Sequence, residues 1–445
     1  MTGDQNNEVG RAALARVGLA GQGAESEVLA EMLDHQGIVY DRVTPESKSR
    51  YPVILTPARS GGRDEIRTLL AHGGSEIAGT EVVELGRVQK LLSGVDETPS
   101  DEFTAFVNEQ EEALLLKIRA VLAEQGLPLE QKWFWPGFAK AACILTHDLD
   151  WLVYSPYHKV VLRSPGGLAR QPALLYKRVV SRVKFGWNVP ETISAETSAG
   201  FKSSFFVKTK YERAEQPRLA ETVRLLKNSG ADVGLHAARA SYRKEESLRQ
   251  EMSEFNEMFG HSPNGVRQHI LKFEVPKTWR IQASCGLEFD ATFSHTDHFG
   301  FRAGVCLPYR PLAGGERLPI TELPTSFMDW TYLHRRYDRR EVAATLKKVT
   351  DTVERHHGVL VVNFHNTYLD RNVFPDIWDD YLGLLEYLKS EKYWVATASE
   401  CVAWWIRRNL ARPTPEGGRV AKVTTSDIPL LVHEGPGLTE PPRVM

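Results

Sequence analysis

From Ala141 onward the chain repeats one pattern, a short apolar run followed by a longer stretch of helical period. The runs are AACIL, SSFFV, DVGL, GVR, LEFD, TELP, VLVVNF and YWVATA. The stretches between them include PRLAETVRLLKNSG, SLRQEMSEFNEMFG, REVAATLKKVTDTVERHHG and IWDDYLGLLEYLKSEK. Short apolar runs bounded by polar residues predict buried strands, and apolar positions three and four apart predict helices. Alternation of this kind over about 270 residues limits the chain to a parallel α/β sheet, and fits one (β/α) barrel better than an open sheet.

The residues just past each run are as informative as the run itself. AACIL leads into Thr146-His147-Asp148-Leu149-Asp150, DVGL ends in His236, and GVR continues to Gln268 and His269. LEFD carries Asp290, and VLVVNF ends in His365-Asn366. In a (β/α) barrel the active site sits at the C-terminal ends of the strands, so these side chains are expected to meet at one mouth. A single such histidine is more often structural, whereas ionisable groups at five strand ends point to a site.

The N-terminal part is of another kind. ESEVLAEMLDHQG has helical period, IVYDRV and YPVILTP are strand-like, and RDEIRTLLAHGG returns to a helical pattern with a glycine stop. A small α/β module with parallel strands is expected over residues 1–130, without a glycine-rich phosphate loop, and a long helix over DEFTAFVNEQEEALLLKIRAVLAEQG closes it. The boundary is placed within 127–140, the barrel over 138–410, and an extended or disordered tail, rich in proline and glycine, over 411–445.

Composition narrows the function. The net charge of −2 supplies no global field towards nucleic acid. The N-terminal residues lack an apolar h-region, and no stretch approaches the roughly 20 apolar residues of a membrane span. Cys143, Cys285, Cys306 and Cys401 show no CxxC spacing. A cytoplasmic protein with reduced thiols is the expectation.

Taken in order, the strand-end motifs resemble those of the polysaccharide deacetylases, the NodB-homology group of carbohydrate esterase family four, over roughly residues 140 to 405. The family's aspartate pair is matched by Asp148 and Asp150 in a spaced D-x-D form. Its second-motif histidine is matched by His236 of DVGLHAARASY, its arginine by Arg267 of GVRQH, and its late histidine by His365 of NFHN. The resemblance implies a distorted barrel of the deacetylase type and a metal-dependent hydrolase acting on an N-acetylated sugar or glycan precursor. It implies a divalent cation, zinc foremost and cobalt or nickel as alternatives, on Asp150 and His236. Asp148 would be the base, oriented by Arg267, and His365 the acid that protonates the departing amine. The family's second motif normally carries another histidine four residues on, and here that position is Ala240. A zinc-type site needs three protein ligands, so His269 is the first candidate for the third and His147 the second, unless water fills the place or the site is abandoned. His147, Asp290, Arg302 and Asn366 are candidate substrate contacts. A hydrolase of a linear or cyclic non-sugar amide and a non-catalytic glycan- or partner-binding protein remain as alternatives.

Two further features stand apart. His295 and His298 in SHTDHFGFR have the look of a metal pair, although a surface loop is the preferred reading. Between the first two barrel strands, residues 151–190 hold seven basic residues and no acidic one. The part from 159 to 187 is expected to be either a basic surface helix or a segment meeting anionic lipid or a phosphate-bearing substrate. Peripheral contact with the inner membrane face and a nucleotide- or lipid-linked sugar would suit the second.

Overall fold

The computed structural model describes residues 17–44, 47, 51–59, 66–72, 75–76, 84–98, 103–163, 167–238, 240–335, 337–416, 419–423, 427–433 and 443–444. All eight apolar runs are strands. In spatial order, Thr321–Glu322, Phe289–Asp290, Gly265–Gln268, Asp232–Ala237, Ser204–Val207, Ala142–Leu149, Val359–Asn363 and Thr325–Met328 form one sheet with every neighbour parallel. Trp394–Ala396 pairs alongside the start of Ala142–Leu149. The two end strands are separated by only Leu323 and Pro324. One segment of chain therefore pairs first with Phe289–Asp290 and then with Val359–Asn363, and the sheet curls into a distorted barrel.

Helices Gln216–Ser229, Glu245–Phe259, Arg339–Arg355 and Pro375–Ser390 lie where the apolar period places them. Their apolar stripes cover the outside of the sheet: Val349, Val353, Leu384 and Leu388 share a cluster with Cys143, Leu145, Leu360 and Val362. Ala142 and Ile144, which alternate with these, belong instead to the cluster that holds Phe206 and Phe289. The period of two thus separates residues under the helices from those on the other face of the sheet. Backbone approach is close between neighbours, since a Cβ on Gly265 would lie 2.0 Å from the ring of Phe289.

The N-terminal module is a five-stranded sheet in the order Tyr40–Arg42, Val17–Leu19, Val53–Arg59, Ile66–His72, Ser75–Glu76. Only the first three strands are parallel. The stretch expected as a helix, RDEIRTLLAHGG, contributes the strand Ile66–His72, antiparallel to Val53–Arg59 from Ile54↔Ala71 to Arg59↔Ile66. Its helical period is weak and includes Ile66 and Thr68, and the free edge of Val53–Arg59 offers a ladder that satisfies both backbones. After Arg412, Leu430–His433 returns to pair antiparallel with Leu129–Lys132.

Module and barrel share one apolar core that runs from Val17, Leu33 and Leu122 to Ile144 and Phe289. Arg408, fully buried, donates to the carbonyls of Asp34, His35, Lys132 and Trp133 and so ties the last barrel helix to the module. Inside the module, His35 Nδ1 lies 2.5 Å from Glu111 Oε1, and its Nε2 lies 3.2 Å from Glu31 Oε1. Burial alone would favour neutral imidazole, but the two carboxylates outweigh it and lift the His35 pKa to about 10. A histidine with a raised folded-state pKa contributes stability that is complete below its unfolded value, about 6.5, and lost as pH rises through the folded value. Urea unfolding of the wild type is therefore expected to show stability falling between pH 7 and 10, by at most about 1.4 kcal/mol per pH unit from this group. His35→Gln, which cannot titrate, is expected to lack that component. An identical slope in both proteins would refute the assignment.

Candidate active site

Four parallel strands deliver the site. Ala142–Leu149 brings Thr146 and Asp148, with Asp150 one residue beyond; Asp232–Ala237 brings His236. Gly265–Gln268 brings Arg267, with His269 next, and Val359–Asn363 brings Asn363, with His365 two residues on. Register sets their neighbours, since Arg267 is paired with His236 and Asn363 with Thr146.

Asp148 is buried and held at both oxygens. Arg267 Nη1 donates to Oδ1 at 2.9 Å, and Asn363 Nδ2 donates to Oδ2 at 2.9 Å. Burial opposes the charge, but Arg267 first, then His236 and His365, bring the Asp148 carboxyl down to about 2. Arg267 is itself fully enclosed: its guanidinium also donates to Thr146 Oγ1, Thr325 Oγ1 and the Ala291 carbonyl, and lies 4.4 Å from the centre of the Phe206 ring.

Asp150 Oδ1 lies 3.4 Å from His236 Nε2 and 3.3 Å from His269 Nε2. One ligand atom from each of Asp150, His236 and His269 falls within 4.8 Å of the others, the one such cluster of three among the described residues. His236 Nδ1 is 3.0 Å from the Arg267 carbonyl, which fixes the ring and aims Nε2 at the cluster. Asp150 Oδ1 and His236 Nε2 are buried without a hydrogen-bond partner. With His269 beside them, these two groups could hold a metal ion. Ala240 lies in an exposed turn, and His269 enters from the next strand instead. The chain leaves His269 through Ile270 and Leu271, both at positive φ, 54° and 51°. Such backbone costs on the order of 1–3 kcal/mol per residue and concentrates at functional sites.

On the other side of Asp148, His365 Nε2 is 3.6 Å from Asp148 Oδ2. His365 Nδ1 is 2.6 Å from Asp329 Oδ1, and its backbone N–H donates to Asp329 Oδ2 at 2.7 Å. Burial lowers the His365 pKa, but Asp329 above all, with Asp148 and Asp150, carries it to about 9.

The four expected substrate contacts are committed elsewhere. His147 alternates with Asp148 and points to the outer face, where Nδ1 meets the Phe364 carbonyl and Nε2 meets Glu196. Period-two alternation thus turns it away from Asp150, His236 and the barrel mouth. Asp290 is fully buried with Gln282, Thr292 and Glu322. Arg302 is engaged by Glu97 of the module and by the Ser294 carbonyl. Asn366 accepts from the Asp150 N–H and donates to the carbonyls of Trp151 and Gly186. Of the pair expected on a surface loop, His295 is buried and its ring centre is 3.7 Å from that of His298. Burial, with His298 and Arg302 close by, pushes the His295 pKa down to about 3.

Reading the sequence missed Asp329, Asn363 and Lys208. Asp329 and Lys208 directly follow the strands Thr325–Met328 and Ser204–Val207, so strand-end position was the available signal. Lys208 donates to the Asp150 carbonyl and lies 5.0 Å from the centre of the Tyr211 ring. Burial lowers its pKa against the pull of Asp150.

Fold and site together define a parallel α/β barrel whose mouth holds a two-histidine, one-carboxylate cluster beside a buried Asp–Arg pair. No family model matches the sequence, and no curated protein does. Solved structures that resemble it include a putative polysaccharide deacetylase from Mycobacterium smegmatis, at 18% identity over 64% of this chain and 96% of that one, with a TM-score of 0.44. A probable polysaccharide deacetylase from Pseudomonas aeruginosa PAO1 is similar at 16% identity over 61% and 93%, TM-score 0.43. Puue allantoinase is similar at 15% over 61% and 92%, TM-score 0.44.

Proposed function

We propose that this protein is a metal-dependent amide hydrolase that removes an acyl group, acetyl foremost, from an N-acylated amino sugar. The observation that carries this reading is the juxtaposition of the Asp150–His236–His269 cluster with the anchored Asp148 carboxylate and, 3.6 Å from that carboxylate, His365. A divalent cation, zinc foremost, held by that cluster would polarise the amide carbonyl and make a water molecule acidic enough to attack it.

The chain's own residues do the rest. Asp148 takes the proton from the attacking water. With its pKa near 2 it is a weak base, so it acts only on a proton already made acidic. Arg267 and Asn363 hold its two oxygens and leave it little freedom to turn. His365, kept protonated near neutral pH by Asp329, gives its Nε2 proton to the nitrogen as the C–N bond breaks. The products are a carboxylate and a free amine. The three buried and one half-buried free cysteines suit a reducing compartment such as the cytoplasm, and a sugar on a nucleotide or lipid carrier suits that location.

The test is acetate release from N-acetylglucosamine oligomers and carrier-linked derivatives. Activity is expected to vanish on dialysis against a chelator and return with zinc, cobalt or nickel. Asp148→Asn is expected to lower it by about 10²-fold or more. Acetate release unaffected by the chelator, or none with any metal, would overturn the reading.

A further inference from the structure

The helix Gly167–Val179 leaves a stripe of apolar side chains exposed. Leu168, Pro172, Leu175, Tyr176 and Val179 fall at i, i+4, i+7, i+8 and i+11, one apolar stripe. That stripe faces outward: Leu168 is 74% exposed, Tyr176 61% and Val179 68%, while Leu174 on the opposite side is buried. Of twelve exposed large apolar residues among those described, seven lie between Tyr157 and Val180. Such clustering marks an interaction surface, where scattered apolar residues would need no explanation.

Charge says what the surface meets. Residues 151–190 hold Lys159, Arg163, Arg170, Lys177, Arg178, Arg182 and Lys184 and no acid. A second copy packed on this face would set cations against cations, whereas an anionic bilayer complements both the apolar stripe and its basic flanks. The location ties the surface to the site. This excursion begins at Trp151, beside Asp150, and ends near Gly186, and Asn366, next to His365, donates to the carbonyls of both ends at 2.6 and 2.8 Å. Arg170, Lys177 and Arg178 hold the helix in place through the Val373 carbonyl, Asn372 and the Tyr154 carbonyl.

We infer that Gly167–Val180 docks on an anionic lipid surface and sets the barrel mouth beside the bilayer. Resting on the hydrolase reading, this makes the substrate class an N-acylated sugar on a lipid carrier. No helix among the described residues is long and apolar enough to cross a membrane, so the contact is peripheral.

The test is co-sedimentation of the full chain with phosphatidylcholine vesicles, with and without phosphatidylglycerol. The wild type is expected to bind only the phosphatidylglycerol vesicles, and less at high salt. Arg182→Gln with Lys184→Gln is expected to lower partitioning about 25-fold, at about fivefold per cation. Leu175→Asp with Val179→Asp is expected to abolish binding while circular dichroism and acetate release from a soluble substrate stay unchanged. A wild type that ignores phosphatidylglycerol, or an Asp pair that binds as the wild type does, would overturn the inference. So would a wild-type dimer that the Asp pair turns into monomers. Vesicle binding needs no turnover, so bound protein that hydrolyses nothing would count against the hydrolase reading and leave the docking surface standing.

Discussion

Alanine at Asp150 or at His236 is expected to strip the protein of bound metal and to slow amide hydrolysis by about 10³-fold or more, the equivalent of about 4 kcal/mol of lost transition-state stabilisation. The physical case lies in what surrounds these side chains. A buried carboxylate oxygen and a buried imidazole nitrogen face each other at 3.4 Å with no hydrogen-bond partner. Leaving both without a partner would cost their desolvation, and a shared cation removes that cost. His269 differs, since it stands beyond the strand end and its side chain is 22% exposed. His269→Ala is therefore expected to weaken metal binding more than to abolish it, with water in the vacated place. Elemental analysis of wild type and the three variants, with calorimetric titration of zinc, checks this. Wild-type metal content in Asp150→Ala and His236→Ala would end the metal-site proposal. Wild-type zinc affinity in His269→Ala would remove His269 from the ligand set.

Arg267→Met is expected to destabilise the protein by about 3–5 kcal/mol, because it leaves the Asp148 carboxylate buried without its guanidinium partner. The loss also opens hydrogen bonds that close the barrel. Arg267 reaches from its own strand to Thr146, to the Ala291 carbonyl and to Thr325 on the segment that joins the two ends of the sheet. Adding Asp148→Asn, which removes the stranded charge, is expected to recover part of the stability without recovering activity. Urea unfolding of the single and double variants measures this directly. An Arg267→Met protein within 1 kcal/mol of wild type, as a rough bound set by ordinary surface substitutions, would show that the pair does not hold the barrel.

Much of the fold was legible in the sequence because the relevant physics is local. The eight apolar runs and four long helical stretches became strands and helices, since a period of two or 3.6 is written in neighbouring residues. Asp148, His236, Arg267 and His365 could be placed at strand ends for the same reason. The stretch Ile66–His72 escaped because a short apolar pattern suits either element, and the free edge of Val53–Arg59 decided it. His147 and Asp290 escaped differently. Both sit at strand ends, but side-chain direction and neighbouring partners turn them away from the mouth.

The sequence by itself determined the parallel α/β architecture and the strand ends at which ionisable groups stand, because alternation along a strand and apolar periodicity along a helix need no distant partner. Tertiary structure alone decided that His269 lies beside Asp150 and His236, that Asp329 holds His365, and that an apolar helix face looks outward. Each depends on strand register and barrel closure, which bring together residues tens to hundreds of positions apart, and no local pattern encodes those distances.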